Sequence, residues 1–137
     1  MILLYGMLCV KTKLLPSKIH GIGLFADQFI PQGTVTWKYH PIFDHGFTEE
    51  QIQEMTEPAR AMVLWYAYFD FNLNKYILCF DDQRFINHSK KNFNIISTPT
   101  ADTAVRDIHQ GEELLCDYNM FDKEYWKRHK IDPETLL

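Results

Sequence analysis

Arg84-Phe85-Ile86-Asn87-His88-Ser89 is the stretch that decides how this chain is read. Phe85 and Ile86 are expected to be buried strand residues, and Asn87, His88 and Ser89 then place donors and acceptors at a strand end. Asn and Ser favour turns, so the segment alone reads as a turn. It does not read as a serine nucleophile beside its base. Adjacent residues on an extended strand face opposite ways, and no strained elbow motif surrounds His88-Ser89. Working outward, Glu113-Leu114-Leu115-Cys116-Asp117-Tyr118 joins a second apolar run to polar residues. Upstream, Gly21-Ile22-Gly23-Leu24-Phe25-Ala26 sets a glycine-bracketed turn before a short apolar strand. Glycine allows close backbone approach to a ligand, but a strand rather than a helix follows, so this is not a phosphate-cradling dinucleotide loop.

The 137 residues fit one domain with one core, and 46% of them are hydrophobic. The net charge of −4 argues against a sequence-independent nucleic-acid binder, which would show a basic face. Cys9, Cys79 and Cys116 are far apart, with no CxxC, and the six histidines show no HxxxH pairing, so no metal site is expected. The odd, scattered cysteines favour reduced thiols and an intracellular location, cytoplasmic by default. Met1–Val10 is apolar but lacks a basic n-region and is too short to span a bilayer. It is expected to be an extension entering the first strand, and no membrane partner is expected.

Along the chain, strands are expected over Leu8–Leu15, from Leu24, over Thr34–Tyr39, Tyr76–Phe80, Ile95–Ile96, Thr103–Val105 and Glu113–Tyr118. Pro31-Gln32-Gly33 and His109-Gln110-Gly111 are turns, and Asn72 and Asn74 mark another. Thr48-Glu49-Glu50-Gln51 has capping-box spacing and should open a short helix ending near Met55. Pro58 suits the first turn of a second helix running through Tyr66. Asp122 is expected to cap a final helix holding Tyr125 and Trp126, with Lys127 to Lys130 near its C-terminus. The class is mainly β (β-rich α+β), neither doubly wound nor a bundle.

The three segments, in this order, resemble the signature motifs of SET-domain protein lysine methyltransferases. The likeness covers roughly residues 7–126. Ile108-His109-Gln110-Gly111-Glu112 resembles the turn the family places before its last strand, and Tyr125-Trp126 sits where many members have an aromatic pair. The chain departs from the family pattern at Lys90, where a cysteine is common, and in residues 92–94, where Pro-Asn is common. No clear YxG stands in the second motif, for which Tyr39-His40-Pro41 is the nearest candidate. No cysteine-rich flank is present, so the chain looks like a minimal, stand-alone bacterial or viral type of SET protein.

The resemblance implies a SET fold of small curved sheets with a C-terminal pseudoknot. One SET domain would span 1–137, with a helical insert at about 47–70 and a helical tail at 122–137. It implies methyl transfer from S-adenosylmethionine to a lysine of a protein or peptide, leaving S-adenosylhomocysteine. By this likeness Tyr118 is catalytic. The cofactor would be held by Gly21, Ile22, Gly23, Leu24, Tyr39, Arg84, Phe85, Asn87, His88, Tyr118 and Trp126, with Trp126 stacking on adenine. Trp65, Tyr66, Tyr68, Phe69 and Cys116 would line the substrate channel. Cys116, two residues before Tyr118, stands where the family often has Phe or Tyr, which implies room for di- or trimethyl-lysine. A chain this short would close its channel with the C-terminal helix or a second subunit, so a homodimer fits. The alternative is a catalytically weak SET scaffold that binds cofactor or peptide.

Overall fold

The structure, a computed structural model, describes residues 7–135. The expected extension before Met7 lies outside them. The described residues form three small sheets. The first strand, β1 (Met7–Leu8), pairs with β4 (Val35–Lys38), whereas β2 (Thr12–Pro16) pairs only with β3 (Ile22–Ala26). The single strand expected over Leu8–Leu15 is therefore two. Cys9 still donates to Thr36, but the Lys11 N–H turns to the Gln28 side chain, and the chain passes between sheets there.

The expected helical insert is helical only in its middle. Thr48 and Gln51 form the anticipated capping box for α1 (Glu49–Glu54), and α2 (Glu57–Tyr66) carries Pro58 in its first turn. The ends of the insert are strands, β5 (His45–Phe47) and β6 (Tyr68–Asp70), both antiparallel to β7 (Lys75–Leu78). Tyr68 and Phe69 are good strand formers. The turn between β6 and β7 bends on Asn74 at φ +54°, with the Asp70 carboxylate accepting from the Asn72 and Leu73 N–H groups. Ile52, Val63, Ala67 and Tyr76 form a separate core under the two helices.

Arg84 and Phe85 are not in a strand. They end a 3-10 turn, Asp82–Phe85, whose Gln83 N–H is capped by the Asp81 carboxylate. Ile86 is buried, and the chain becomes extended again at β8 (Asn87–His88). After it come β9 (Ile95–Ser97), β10 (Ala101–Ala104) and β11 (Leu115–Cys116), giving a six-stranded sheet of order β1-β4-β10-β9-β11-β8. The last strand lies parallel between β8 and β9, although β8 and β9 are consecutive in the chain. The connection between them closes around β11. Ser89 N–H donates to Cys116 and Asn94 N–H to Leu115, while the buried Asn94 amide bonds both Glu113 and Leu115. This interlocking is the expected pseudoknot.

The strand expected over Glu113–Tyr118 is shorter, because Asp117 caps a 3-10 turn, Tyr118–Met120. The final helix, α3 (Tyr125–His129), is present, but Asp122 does not cap it by its side chain. That carboxylate is fully buried. It accepts from the Phe69 N–H of β6 and from both terminal nitrogens of Arg128, fastening α3 to the insert. The main core, from Leu24 and Ala26 through Ile95, Ile108 and Leu114, packs the β2–β3 hairpin on the six-stranded sheet.

Candidate active site

Interlocking β8 and β11 brings the two motif segments side by side. Leu115 is in register with Asn87, and Cys116 with His88. Beside them opens a cavity of about 420 Å³, within the range of small-molecule sites. Its walls come from the glycine loop, α2, the 3-10 turn at residues 82–85, β8, β11 and α3.

Glu113 ties these parts together, and nothing in the sequence marked it beyond its place in the motif. Its carboxylate accepts from Ser17 Oγ at 2.9 Å and from Asn87 Nδ2 at 3.0 Å. The same amide nitrogen reaches the His20 carbonyl at 2.9 Å. Asn87 thus spends its donors on Glu113 and the glycine loop. Gly23 suits the approach: a Cβ there would crowd the Glu113 carboxylate. Gly21, at φ +48°, has open space on the side where a Cβ would project. One glycine of the pair therefore makes room for Glu113 and the other turns the chain.

His88 is buried and neutral. Its Nδ1 accepts the Tyr118 N–H at 3.1 Å, which places the ring proton on Nε2, and burial pushes its pKa below the usual histidine value. Tyr118 donates its hydroxyl to the Ile86 carbonyl. Burial pushes this phenol well above its ordinary pKa, so it stays protonated, with its oxygen lone pairs left to accept. Trp126 stacks on Tyr118 with ring centroids 5.5 Å apart and 14° between planes, and its Nε1 donates to Asn119. The stacking partner of Trp126 in the structure is thus Tyr118.

Of the residues singled out in the sequence, Gly21, Ile22, Trp65, Tyr66, Tyr68, Arg84, Phe85, Asn87, His88, Cys116, Tyr118 and Trp126 line the cavity. Four do not. Gly23 packs against Glu113, and Leu24 is wholly buried in the main core. Tyr39 lies beyond the end of β4, its N–H bonded to Thr100, away from the cavity. Phe69 belongs to the core under the helices, because alternation on β6 turns it away from Tyr68. Trp37, Gln83, Ser97 and Asp102 also line the cavity and carried no sequence signal. Each sits in a segment that reads as ordinary strand or turn. Among the described residues, no group of three or more His, Cys, Asp or Glu side chains could hold a metal ion, and no helix is long and apolar enough to cross a membrane.

A β-rich fold with its last strand locked between two earlier ones, and with a cavity at the lock, defines the class of protein. The sequence matches the SET domain over residues 21–119, and the chain belongs to the SET-domain family, a family of protein lysine methyltransferases. Solved structures agree on the fold. One, a humanized mutant of the Chaetomium thermophilum Polycomb Repressive Complex 2 bound to an inhibitor, is 20% identical with a TM-score of 0.61, over 86% of this chain and 16% of that one. Another, ctPRC2 in an autoinhibited conformation bound to S-adenosylmethionine, is 20% identical with a TM-score of 0.63, over 88% of this chain and 16% of that one. The present chain thus spans about a sixth of the length of the chains it resembles. No curated protein sequence matches it significantly.

Proposed function

We propose that this protein transfers a methyl group from S-adenosylmethionine to the side-chain amine of a lysine in a protein or peptide. The observation that carries the reading is the convergence of the Gly21 loop, Asn87, His88 and Tyr118 on one cavity, through an interlock that the Glu113–Asn87 bond fastens. The residues present fit the cofactor. The cavity is large enough, its walls are aromatic at His88, Tyr118 and Trp126, and the Gly21 backbone faces it without a side chain. S-adenosylmethionine, when bound, supplies a methyl group made electrophilic by its sulfonium centre.

The protein's own residues do the rest. Asn87 and Glu113 hold the glycine loop in place, and His88 Nε2–H is left as a donor toward the ligand. Arg84, Phe85 and Trp126 complete the cofactor wall. A lysine ammonium, with an ordinary pKa near 10.4, attacks only after losing a proton. Trp65, Tyr66 and Tyr68 surround the amine with apolar ring surface, which disfavours its charge. Because Tyr118 donates to Ile86, its oxygen accepts an amine N–H and aims the lone pair at the methyl group. Tyr118 orients and is not the base. The gain is alignment in a water-poor channel.

The test is to incubate the protein with labelled S-adenosylmethionine and a proteome lysate and to identify the modified residue by mass spectrometry. Methyl-lysine is expected. Cofactor binding by calorimetry with no transfer to any protein would leave a binding scaffold in its place.

A further inference from the structure

Methyl transfer to an ammonium releases one proton, and neither Tyr118 nor His88 is set to take it. Tyr118 is held neutral, and His88 Nδ1 is occupied by the Tyr118 N–H. The cavity floor holds another set of polar groups. Trp37, Asp102 and Ser97 stand at one register across β4, β10 and β9, and so on one face of the sheet. Ile95, two residues before Ser97 on that face, is in register with Cys116. Along this face the sheet changes from apolar at Ile95 and Ala104 to polar at Ser97 and Asp102.

Trp37, Asp102 and Ser97 are 2%, 2% and 4% exposed. Gln83 Nε2 donates to Asp102 Oδ2 at 2.6 Å, and among the described residues no basic side chain forms a salt bridge with that carboxyl. Ser97 Oγ lies close to the Asp102 carboxyl and the Cys116 thiol but reaches hydrogen-bonding geometry with neither. The Trp37 Nε1–H is buried without a partner. A buried carboxyl without a cation is costly, and buried polar atoms left open beside it mark a site that a ligand or water completes. Asp102 lines the same cavity as Cys116 and Tyr118, and an amine entering that cavity has the charge and the donors to complete the set.

We propose that Asp102 is the proton acceptor of the methyl transfer, its carboxylate pairing with the substrate ammonium beyond Cys116 and removing one of its protons. The proposal rests on the lysine methyltransferase reading. One ammonium N–H bond breaks and its proton passes to an Asp102 oxygen. The freed nitrogen lone pair forms the N–C bond as the S–C bond breaks, and that electron pair stays on sulfur as the thioether. A sulfonium, an ammonium and a carboxylate become a methylammonium, a thioether and a carboxylic acid, so charge is conserved. The acid then returns its proton to solvent before the next turnover.

The groups packed around Asp102 suit this role. Burial raises its carboxyl, and with the Gln83 amide pulling the other way it stands at about 7. An acceptor near the working pH is the most effective one. Cys116 from β11 and Cys79 after β7 face it as thiols that burial and the Asp102 charge keep protonated, and Trp37 from β4 does not titrate.

The test uses n-butylamine, the reactive end of a lysine side chain. Carbon-detected NMR of the aspartate carboxyls should show Asp102 titrating near neutrality, with its midpoint moved to lower pH by the amine in the absence of cofactor. In Asp102→Asn, amine affinity should fall about tenfold or more. Methyl transfer at neutral pH should fall about 100-fold or more, with the near-neutral inflection of the wild-type rate profile gone. A wild-type midpoint that ignores butylamine, or an Asn variant with the wild-type pH profile, would overturn the proposal. A wild type that shifts its midpoint yet methylates nothing would overturn the parent reading and the acceptor role with it. Transfer without a shift overturns the acceptor role alone.

Discussion

Tyr118 keeps its hydroxyl proton on the Ile86 carbonyl, so its oxygen faces the cavity as an acceptor. Tyr118→Phe should therefore nearly abolish transfer while leaving S-adenosylmethionine affinity within a few-fold, which a transfer assay beside calorimetry will show. Stability should drop by about 1 kcal/mol, the usual net value of one such bond, because the Ile86 carbonyl loses its partner. Cys116 is wholly buried two residues earlier, beside Ser97. On the proposed reading, its small side chain would let a methylated amine turn and present its lone pair again. Long incubation should yield di- or trimethyl-lysine, and Cys116→Tyr should move the product toward monomethyl-lysine. A wild-type reaction that stops at one methyl under excess cofactor would refute this.

Among the elements, the Glu113 carboxylate links the hairpin β2–β3 to β8, beside the direct bonds of Asn87 to the His20 and Ile22 carbonyls. Glu113 accepts from Ser17 before the loop and Asn87 after it, with Gly23 underneath. Glu113→Ala should cost about 1.5–3 kcal/mol, the range for hydrogen bonds to a charged group. It should also weaken cofactor binding more than any effect on a preformed substrate peptide complex, since the loop it frees is the one proposed to hold the cofactor. Denaturant unfolding and calorimetry on the same variant separate the two. The wall formed by α3 depends on Asp122, which joins Arg128 to the Phe69 N–H of β6. Asp122→Ala leaves Arg128 and that N–H without their partner. Breaking a buried pair in this way costs about 3–5 kcal/mol, and the urea midpoint should fall accordingly.

For the whole molecule, that loss is a large share of the roughly 5–15 kcal/mol available to a domain. The pH dependence of folding carries a separate signature of the cavity floor. Asp102 has its folded pKa raised, from 3.8 in the unfolded chain to about 7. The folded state holds the proton more tightly, so this contribution is full below the unfolded value and is lost as pH rises toward about 7. Asp102→Asn should remove that slope. Its stability relative to wild type should be more favourable at pH 8 than at pH 4, as thermal unfolding at the two pH values will report. His88 runs in the other direction. Its folded pKa is lowered, so its contribution is present at neutral pH and is lost as pH falls below 6.5.

The family resemblance carried by residues 84–89 and 113–118 implied the interlocked fold, the position of Tyr118 and the neighbourhood of the glycine loop, because each motif is a contiguous segment. The capping box at Thr48 and Gln51 was legible for the same reason, since both partners lie within one helical turn. Tertiary structure alone decided the rest. Strand pairing made β5 and β6 out of the ends of an expected helical insert. Long-range burial moved Asp122 from a helix cap to a fastener between α3 and β6. Cross-strand register gathered Trp37, Ser97 and Asp102 from three separate segments onto one cavity floor. Register is a relation between strands distant in the chain, fixed by which faces the core buries, and a single segment does not contain it.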